Sequence, residues 1–340
     1  MKKENGRKVL AALAAAVLLG GLGAFAACGE TGAASSGGSD GTSGAPGSQS
    51  AGEYAVEFVA RGLIVATERC ASDLSGAGFF DVGSATEVSC SVFAGYDFLG
   101  WYEGETLVSE ERTFSYAMPD REVTLEARTR VSEEMRNFRF TSSAAGCTIS
   151  GVVDATVKEI SVPAYASVKD GAFAGCDSLE SLTLPSMESE DFLGRYFGAE
   201  NYVFNDEDIP QSLKSVEITG GEEIAEYAFY VCLSLERIAV AESVKKISEA
   251  AFYGCTALKS IAIPESVEKI GQYAFWGTAL ESAAIRGEGS WQYFDSDGGT
   301  PEVSGDIPAE ELSDPAAAAK ALSQTYAGFY LLRKTASPDV

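Results

Sequence analysis

The feature that most constrains this chain is a self-similar unit in its second half, whose last three copies are 23 residues apart. Each copy begins with an Ala-Phe pair, and the pairs are Ala172-Phe173, Ala228-Phe229, Ala251-Phe252 and Ala274-Phe275. One unit carries about five large apolar side chains, whose burial is worth roughly 10 kcal/mol, whereas ordering the unit costs on the order of 30 kcal/mol. A single unit therefore does not fold alone, and the copies are predicted to stack around one continuous core.

Each of the first three copies continues with a cysteine and then a leucine at intervals of three residues. The side chains predicted to fill the core of the stack are Phe173, Phe229, Phe252, Phe275, Leu179, Leu235, Leu258, Cys176, Cys232 and Cys255. The cysteines can be interpreted as thiol ligands, but they lack the Cys-x-x-Cys spacing of zinc and redox sites, and Thr278 stands near the same position in the last copy. We interpret them as packing residues and predict no metal, no cofactor and no catalytic residue.

A repeat length in the twenties is typical of leucine-rich repeats. In detail the unit resembles the BspA-type leucine-rich repeat, and the segment from Ile263 to Gly271, Ile-Pro-Glu-Ser-Val-Glu-Lys-Ile-Gly, is typical of that family. The resemblance implies that residues 131–286 form a leucine-rich-repeat solenoid of α/β-type repeats with a parallel β-sheet face. It also implies a surface protein of the kind associated with adhesion and protein binding. The motif defines no ligand-binding residues, so these stay unknown.

One stretch interrupts the period. Phe173 and Phe229 are 56 residues apart, ten more than two units, and the excess falls around residues 187–211, where aromatic and acidic residues are mixed. Such an insertion either decorates a binding face or is a local packing variant, and we favour packing. The acidic runs at 205–208 and 295–298 could attract calcium, but neither has the ligand spacing of a calcium loop.

The first residues have the parts of an export signal. Lysines and an arginine precede an apolar run from Val9 to Leu22, and small residues follow before Cys28. The tetrapeptide Phe25-Ala26-Ala27-Cys28 resembles the lipobox of bacterial lipoproteins, which implies lipid attachment at Cys28. The alternatives are ordinary signal-peptidase cleavage after Ala26 and a retained membrane span. We predict a lipoprotein signal peptide at 1–27 and a flexible Gly/Ser linker at 28–52.

Two stretches of residues 53–130 alternate with period two, as half-buried strands do: Tyr54, Val56 and Phe58 in one, and Thr86, Val88, Cys90 and Val92 in the other. The stretches from Gly95 to Gly104, from Thr113 to Pro119 and from Val123 to Leu125 resemble the internalin-type B repeat, which implies a small β-grasp-like domain whose aromatic residues mainly fill a core. Cys70 and Cys90 lie in this module, and an oxidising compartment would allow them to pair. Whether they form a disulfide is left open, because the sequence does not place their Cα atoms.

The last predicted segment, residues 287–340, does not show the repeat pattern. Residues 287–305 are predicted to form a polar loop, and Asp314-Pro315 has the residue types of an N-cap followed by the first helical position. A solenoid end exposes an apolar slice unless something covers it. We therefore predict a C-terminal loop followed by a helical cap.

The charge and the lack of histidine exclude some classes of function. The chain has 25 Lys and Arg against 50 Asp and Glu, a net charge of −25, and no histidine. Nucleic acid is therefore not expected as a partner, and imidazole-dependent catalysis is excluded. The first hypothesis is a non-enzymatic, outward-facing protein, lipid-anchored at the bacterial cell membrane, that binds an extracellular protein or glycoprotein through its repeat surface. The alternatives are a polysaccharide-active or carbohydrate-binding protein and a passive stalk.

Overall fold

The structure, a computed structural model, describes residues 60–67, 71–296 and 303–334. The predicted signal peptide, Cys28 and the linker lie outside these ranges, and so does Cys70. Of the helices in the described ranges, none has the length and hydropathy that crossing a membrane requires.

The N-terminal part of the described chain consists of two β-sheets. Its strands are β1 Ala60–Thr67, β2 Ala71–Ser75, β3 Gly78–Asp81, β4 Ala85–Val92, β5 Tyr96–Glu103, β6 Thr106–Ser109, β7 Thr113–Ala117 and β8 Val123–Val131. One sheet has the order β3-β1-β8-β5-β6, in which β1 and β8 are parallel, and the other has the order β2-β4-β7. The period-two pattern predicted β4, and the structure confirms it: Val88 and Cys90 point into the core while their neighbours are more exposed.

The core of these sheets is aromatic at its centre. Trp101 is fully buried, and its indole nitrogen donates a hydrogen bond to the carbonyl of Arg112 at 3.2 Å. The rings of Phe98 and Phe114 lie 6.1 and 6.3 Å from it, centroid to centroid. These aromatic residues therefore fill a core. Cys90 is buried, and whether it pairs with Cys70 stays open, because Cys70 lies outside the described residues.

A hairpin connects the two sheets to the repeat region. After a 3-10 turn at Glu133–Met135 come β9 Phe138–Ser143 and β10 Gly146–Val152, and β12 Ala166–Val168 lies parallel to β10. Ser142 donates a hydrogen bond to the carbonyl of Ala94 at 2.6 Å. The rings of Tyr96 and Phe140 are 5.4 Å apart. The hairpin thus packs against the N-terminal sheets and begins the stack of coils.

The repeat region is a β-solenoid with two rows of short parallel strands. The first row is β11 Glu159–Ser161, β13 Ser181–Leu184, β14 Ser215–Ile218, β16 Arg237–Ala239, β18 Ser260–Ile263 and β20 Ser282–Ile285. The second row is β15 Glu223–Ile224, β17 Lys246–Ile247 and β19 Lys269–Ile270. The register of the first row aligns Ile160, Leu182, Val216 and Ile238, all buried. Successive coils therefore share one apolar interior, and their first-row backbones pair within two sheets, β11 to β16 and β18 with β20.

The expected α/β type of the repeat is wrong. Between its two strand rows each regular coil has tight turns and no helix, and adjacent coils bond directly across them: Phe229 N donates to Ala251 O, and Phe252 N donates to Ala274 O, both at 2.8 Å. These bonds use backbone groups that a helix would have satisfied within itself. Within residues 131–286 the α-helices are the short Leu193–Phe197 and Asn205–Asp208, both in the insertion, with a 3-10 turn at Tyr202–Phe204.

A ladder of phenylalanines runs through the core. The rings of Phe229 and Phe252 are 5.1 Å apart and tilted by 7°, and those of Phe252 and Phe275 are 5.3 Å apart and tilted by 9°. All ten side chains expected to line the stack have at most 1% of their surface exposed. The backbone N–H of Cys232 donates to the carbonyl of the phenylalanine three residues earlier, and Thr278 N makes the same bond in the last coil. Thr278 thus occupies the cysteine position.

The insertion contains a rung of the ladder that the sequence did not reveal. Phe173 N donates to Tyr196 O at 2.8 Å, the same bond that Phe229 makes with the residue before Phe252. The ring of Phe173 lies 6.1 Å from the rings of both Tyr196 and Phe197. The pair Tyr196-Phe197 therefore replaces an Ala-Phe pair, and the extra residues follow it.

The C-terminal segment lies on the last coils. It comprises β21 Ser290–Phe294, β22 Ser304–Ile307, β23 Tyr330–Lys334, the helices Ala309–Ser313 and Pro315–Lys320, and a π-helical turn at Ala321–Thr325. The expected N-cap is confirmed: Asp314 Oδ1 accepts bonds from Ala316 N and Ala317 N at 3.1 and 2.8 Å. The expected polar loop is wrong, because residues 290–294 form a strand between β22 and β23.

Candidate binding surface

Nine of the twelve aligned outward positions of the first strand row carry small side chains, and the other three carry Glu159, Arg237 and Glu217. These positions are Glu159, Ser181, Ser215 and Arg237 in one line, Ser161, Thr183, Glu217 and Ala239 in a second, and Ser260, Ser282, Ala262 and Ala284 on the last two strands. Serine and alanine are depleted in protein interfaces, where tyrosine, tryptophan and arginine supply most of the binding energy. Among these outward positions, Arg237 is the one residue of the favoured types, so this face offers few anchoring groups.

Charges next to this face neutralise one another. The residue before the first-row strands alternates in sign along the stack: Lys158, Glu180, Lys214, Glu236, Lys259 and Glu281. The lysine Nζ and glutamate Oε1 atoms of adjacent coils are 2.6, 3.7 and 3.6 Å apart in the three successive pairs. All six side chains are largely exposed, so each pair adds at most about 1 kcal/mol to stability. Their main effect is to leave this edge without a net charge.

The turns that carry the phenylalanine ladder present a different surface. In each of the last three coils the residue after the buried phenylalanine is at least partly exposed, and so is the residue two before it except in the middle coil, where Ala250 is buried; the insertion adds one more ring. We call these side chains the aromatic edge: Tyr202, Tyr227, Tyr230, Tyr253, Tyr273 and Trp276. Tyr273 is 42% exposed and Trp276 44%, and the other four are half-buried. Exposed aromatic residues in a contiguous row mark an interaction site more often than scattered ones do.

The rings of the aromatic edge pack in order along the stack. Tyr202 and Tyr227 are stacked at 4.1 Å, and Tyr230 and Tyr253 are stacked at 5.0 Å. Tyr230 meets both Tyr202 and Tyr227 edge to face, at 5.4 and 5.8 Å. Trp276 occupies the position of Tyr253 one coil further on. Tyr273 and Trp276 meet edge to face at 6.2 Å. The edge thus consists of a packed group of four rings followed by this pair one coil further on.

A buried asparagine holds the insertion against this row. Asn205 is fully buried, its Oδ1 accepts a bond from Gly194 N at 2.9 Å, and its Nδ2 donates to Tyr230 O at 2.8 Å. It therefore joins the helix at Leu193–Phe197 to the next coil and fixes the position of Tyr202. The insertion has two roles: Tyr196 and Phe197 pack in the core, as we favoured, whereas its second half contributes to the aromatic edge.

The aromatic edge is acidic. Segments 199–209, 225–234, 248–257 and 271–280 form it, and they contain six Asp and Glu but no Lys or Arg. Burial raises the pKa of the Tyr227 hydroxyl, and the negative charges of Glu249 and Glu226 raise it further. Asp206, Glu207 and Asp208 form one exposed helical turn beside it. Among the described residues, no group of three or more cysteines and carboxylates is placed to hold a metal ion.

Backbone conformation at the edge is unusual for the residues present. Tyr227, Ala250 and Tyr273 occupy one repeat position with φ of 58°, 50° and 57°, the left-handed region. Two residues after the phenylalanine, Val231 has φ of 53°, where Gly254 of the next coil has 71°. Left-handed conformations cost a side chain about 1 kcal/mol or more, most of all a β-branched one.

A groove of about 370 Å³ lies at the other end of the stack. It is lined by the 3-10 turn at Glu133–Met135, by residues of β9 and β10, and by Glu159, Ser161 and Thr183 of the first strand row. Its lining carries no clustered nucleophile or paired buried carboxylates, and we assign it no chemistry.

Comparison with known proteins identifies the repeat. Residues 154–219 and 200–295 match the family model of the BspA type leucine rich repeat region, in six copies. No curated protein matches the chain.

Among solved structures, the chain is similar to a leucine rich repeat protein of T. pallidum, with 23% identity over 44% of this chain and 69% of that one and a TM-score of 0.28. It is similar to a leucine rich cell surface protein from Faecalibacterium prausnitzii, with 22% identity over 46% and 54% and a TM-score of 0.28. It is also similar to a leucine-rich repeat protein from Bacteroides capillosus, with 23% identity over 44% of this chain and 95% of that one and a TM-score of 0.24. This chain thus spans about half the length of the F. prausnitzii protein. The family match covers residues 154–295, which include most of the stacked coils of the structure.

Proposed function

We propose that this protein is a cell-surface adhesion or protein-interaction receptor that binds an extracellular protein or glycoprotein through its repeat region. The observation that carries the proposal is the architecture itself, since each stacked coil adds outer surface while its interior is filled by the phenylalanine ladder. Such a molecule presents an extended surface that suits macromolecular partners. Surface proteins with this repeat are typically binders of other proteins, which supports the same role.

The binding test compares the full chain with a panel of probes. Matrix proteins, mucins and other bacterial surface proteins are immobilised, and binding of the full-length protein in detergent micelles is followed by surface plasmon resonance. We expect saturable binding to at least one protein of the panel. Cells that carry the chain without residues 137–340 should lose attachment while keeping the N-terminal part on their surface. The absence of saturable binding to every probe would refute the proposal.

We also propose that residues 1–27 are an export signal and that Cys28 is lipidated and anchors the protein with its surface facing outward. The lysines, the apolar run and the small residues before Cys28 support this. Two or three acyl chains make such an anchor stable. Cells fed an alkyne fatty acid should label the wild-type protein and leave Cys28→Ser unlabelled. Equal labelling of the two would contradict lipidation at this residue.

The remaining domain assignments complete the proposal. Residues 53–130 form a β-grasp-like spacer of the internalin B-repeat type, supported by the self-contained core around Trp101. Residues 287–340 cap the stack, supported by packing of the helix Pro315–Lys320 on β20 and by pairing of β23 with β19. The spacer would hold the repeat surface away from the membrane at the end of the linker.

A further inference from the structure

We propose that the aromatic edge binds a short extended peptide segment rich in arginine or lysine, presented by a partner protein. This inference rests on the protein-interaction function proposed above, to which it assigns a surface and a ligand chemistry. The small serine and alanine side chains of the first strand row offer few anchors. By contrast, the aromatic edge offers tyrosines and a tryptophan, the residue types on which binding energy concentrates.

Charge selects the cationic partner. Glu226 and Glu249 directly precede two successive left-handed positions of the edge, and Asp206, Glu207 and Asp208 lie in the helical turn that follows the turn of Tyr202. The segments that form the edge have no Lys or Arg, and among the described residues no Lys or Arg forms an ion pair with these carboxylates, unlike the alternating charges beside the strand row. A guanidinium over a tyrosine ring gains about 0.5 to 1 kcal/mol at an exposed site and about 2 when desolvated. An anionic partner would be repelled.

Elsewhere the chain makes the same kind of contact within itself. The guanidinium carbon of Arg128 lies 4.5 Å from the ring centroid of Tyr102, and that of Arg333 lies 4.9 Å from the ring of Trp291. Glu126 and Glu105 accept bonds from the same Arg128. An aromatic ring with carboxylates beside it thus binds an arginine side chain within this protein. The aromatic edge also combines rings with carboxylates, and there they are accessible to a partner.

The dimensions suit an extended peptide. Rings one coil apart are separated by 5.0 Å at Tyr230 and Tyr253, so the edge from Tyr202 to Trp276 is roughly 15 Å long. An extended chain advances about 3.3 Å per residue and places every second side chain on the same side. A segment of about five residues would therefore lie along the edge, with two or three cationic side chains directed at the rings.

The edge is held ready by the fold. Asn205 Nδ2 donates to the carbonyl of Tyr230, and Asn205 Oδ1 accepts a bond from Gly194 N, so this side chain ties the insertion that carries Tyr202 to the next coil. Stacking of Tyr202 on Tyr227 and of Tyr230 on Tyr253 restrains the rings before any partner arrives. Because side chains that are already ordered lose little entropy on binding, such a surface gives more affinity per contact.

The test uses the full chain in detergent micelles and defined synthetic peptides. The probe is a nine-residue peptide with arginine at every second position, and its control has glutamate at those positions. Binding is measured by isothermal titration at two salt concentrations. Tyr253→Ala combined with Trp276→Ala should weaken binding of the arginine peptide about 10-fold or more, and Glu226→Gln combined with Glu249→Gln about 3- to 10-fold with a smaller salt dependence. The glutamate peptide should not bind.

Two matched variants control for exposure and charge. Phe79→Ala removes an aromatic ring that is 80% exposed in the N-terminal sheets, and Glu217→Gln removes a carboxylate from the first strand row. Both should bind the arginine peptide as the wild-type chain does. Equal affinity for the arginine peptide in all variants, or no binding of it at all, would overturn the proposal. A third probe is a neutral chitin hexasaccharide. The proposal would also be overturned if this sugar bound the wild-type chain, lost affinity for the Tyr253→Ala, Trp276→Ala variant and kept it for the Glu226→Gln, Glu249→Gln variant, because that result would indicate a glycan site.

The two proposals fail separately. If a surface protein of the panel binds the wild-type chain and the Tyr253→Ala, Trp276→Ala variant equally well, the receptor function stands and the aromatic edge is the wrong surface. If no protein of the panel binds the wild-type chain while the arginine peptide binds at the aromatic edge, the receptor function fails and the assigned chemistry stands.

Discussion

Truncating the middle rung of the phenylalanine ladder tests the architecture most directly. Phe252 has no exposed surface and is stacked between Phe229 at 5.1 Å and Phe275 at 5.3 Å. Phe252→Ala removes a transfer free energy of about 1.5 to 3 kcal/mol and two ring contacts of about 0.5 to 1.5 kcal/mol each, and it leaves a cavity. We expect the free energy of unfolding to fall by about 4 to 5 kcal/mol, the upper end for this type of substitution.

The measurement is urea unfolding of the full chain, followed by far-ultraviolet circular dichroism. Because each coil contacts only its neighbours, loss of a central rung should lower the midpoint of the transition or divide it into two. Tyr253→Ala is the control: it changes the next residue, which is half-buried in the aromatic edge, and should cost about 1 kcal/mol or less.

Two results would refute the reasoning. One is a loss below about 2 kcal/mol for Phe252→Ala, which would mean that the ladder does not carry the core. The other is an equal loss for the two variants, which would mean that depth in the stack does not decide the cost.

Three further predictions concern single positions. Val231→Gly should stabilise the chain by about 1 kcal/mol, because glycine relieves the left-handed φ, while Gly254→Val at the equivalent turn should destabilise it by more; thermal unfolding measures both, and a destabilising Val231→Gly or a stabilising Gly254→Val would contradict the strain. Burial raises the pKa of the Cys232 thiol, so its contribution to stability is complete below the unfolded pKa of about 8.5 and is lost as pH rises above it. Cys232→Ala should therefore lose less stability than wild type between about pH 8.5 and 10, and parallel losses would count against this. Asn205→Ala leaves two buried backbone groups without partners and should cost about 2 to 3 kcal/mol in urea unfolding, whereas exposed Asn201→Ala should cost about 1 at most; equal costs would contradict the role of Asn205.

The sequence was most informative where the period was undisturbed. Spacing of 23 residues placed Phe229, Phe252 and Phe275 at equivalent positions, and the structure stacks them. Phe197 escaped notice because tyrosine replaces alanine before it and the inserted residues follow it directly. The aromatic edge was equally hidden, since its residues occupy variable positions of the unit. Whether those positions point outward depends on turn conformations that the apolar pattern does not encode.

Long-range pairing explains the other errors. β21 was expected to be a loop, because its partner β23 lies more than 30 residues further along the chain. The turns were expected to be helical because the resemblance implied an α/β-type repeat. In the structure the backbone N–H groups of each turn donate to carbonyl groups of the next coil. These acceptors are present only when the coils are stacked, so the sequence of one unit does not reveal them.

The strand β23 closes the end of the second strand row. A row of parallel strands ends in unpaired N–H and C=O groups, which could recruit the first coil of another copy and grow a filament. Because Tyr330–Lys334 runs antiparallel along Lys269–Ile270, the terminal edge no longer has the direction that a further repeat would need. Removal of residues 330–340 should therefore expose the edge of β19 and increase end-to-end association of copies, which light scattering would detect.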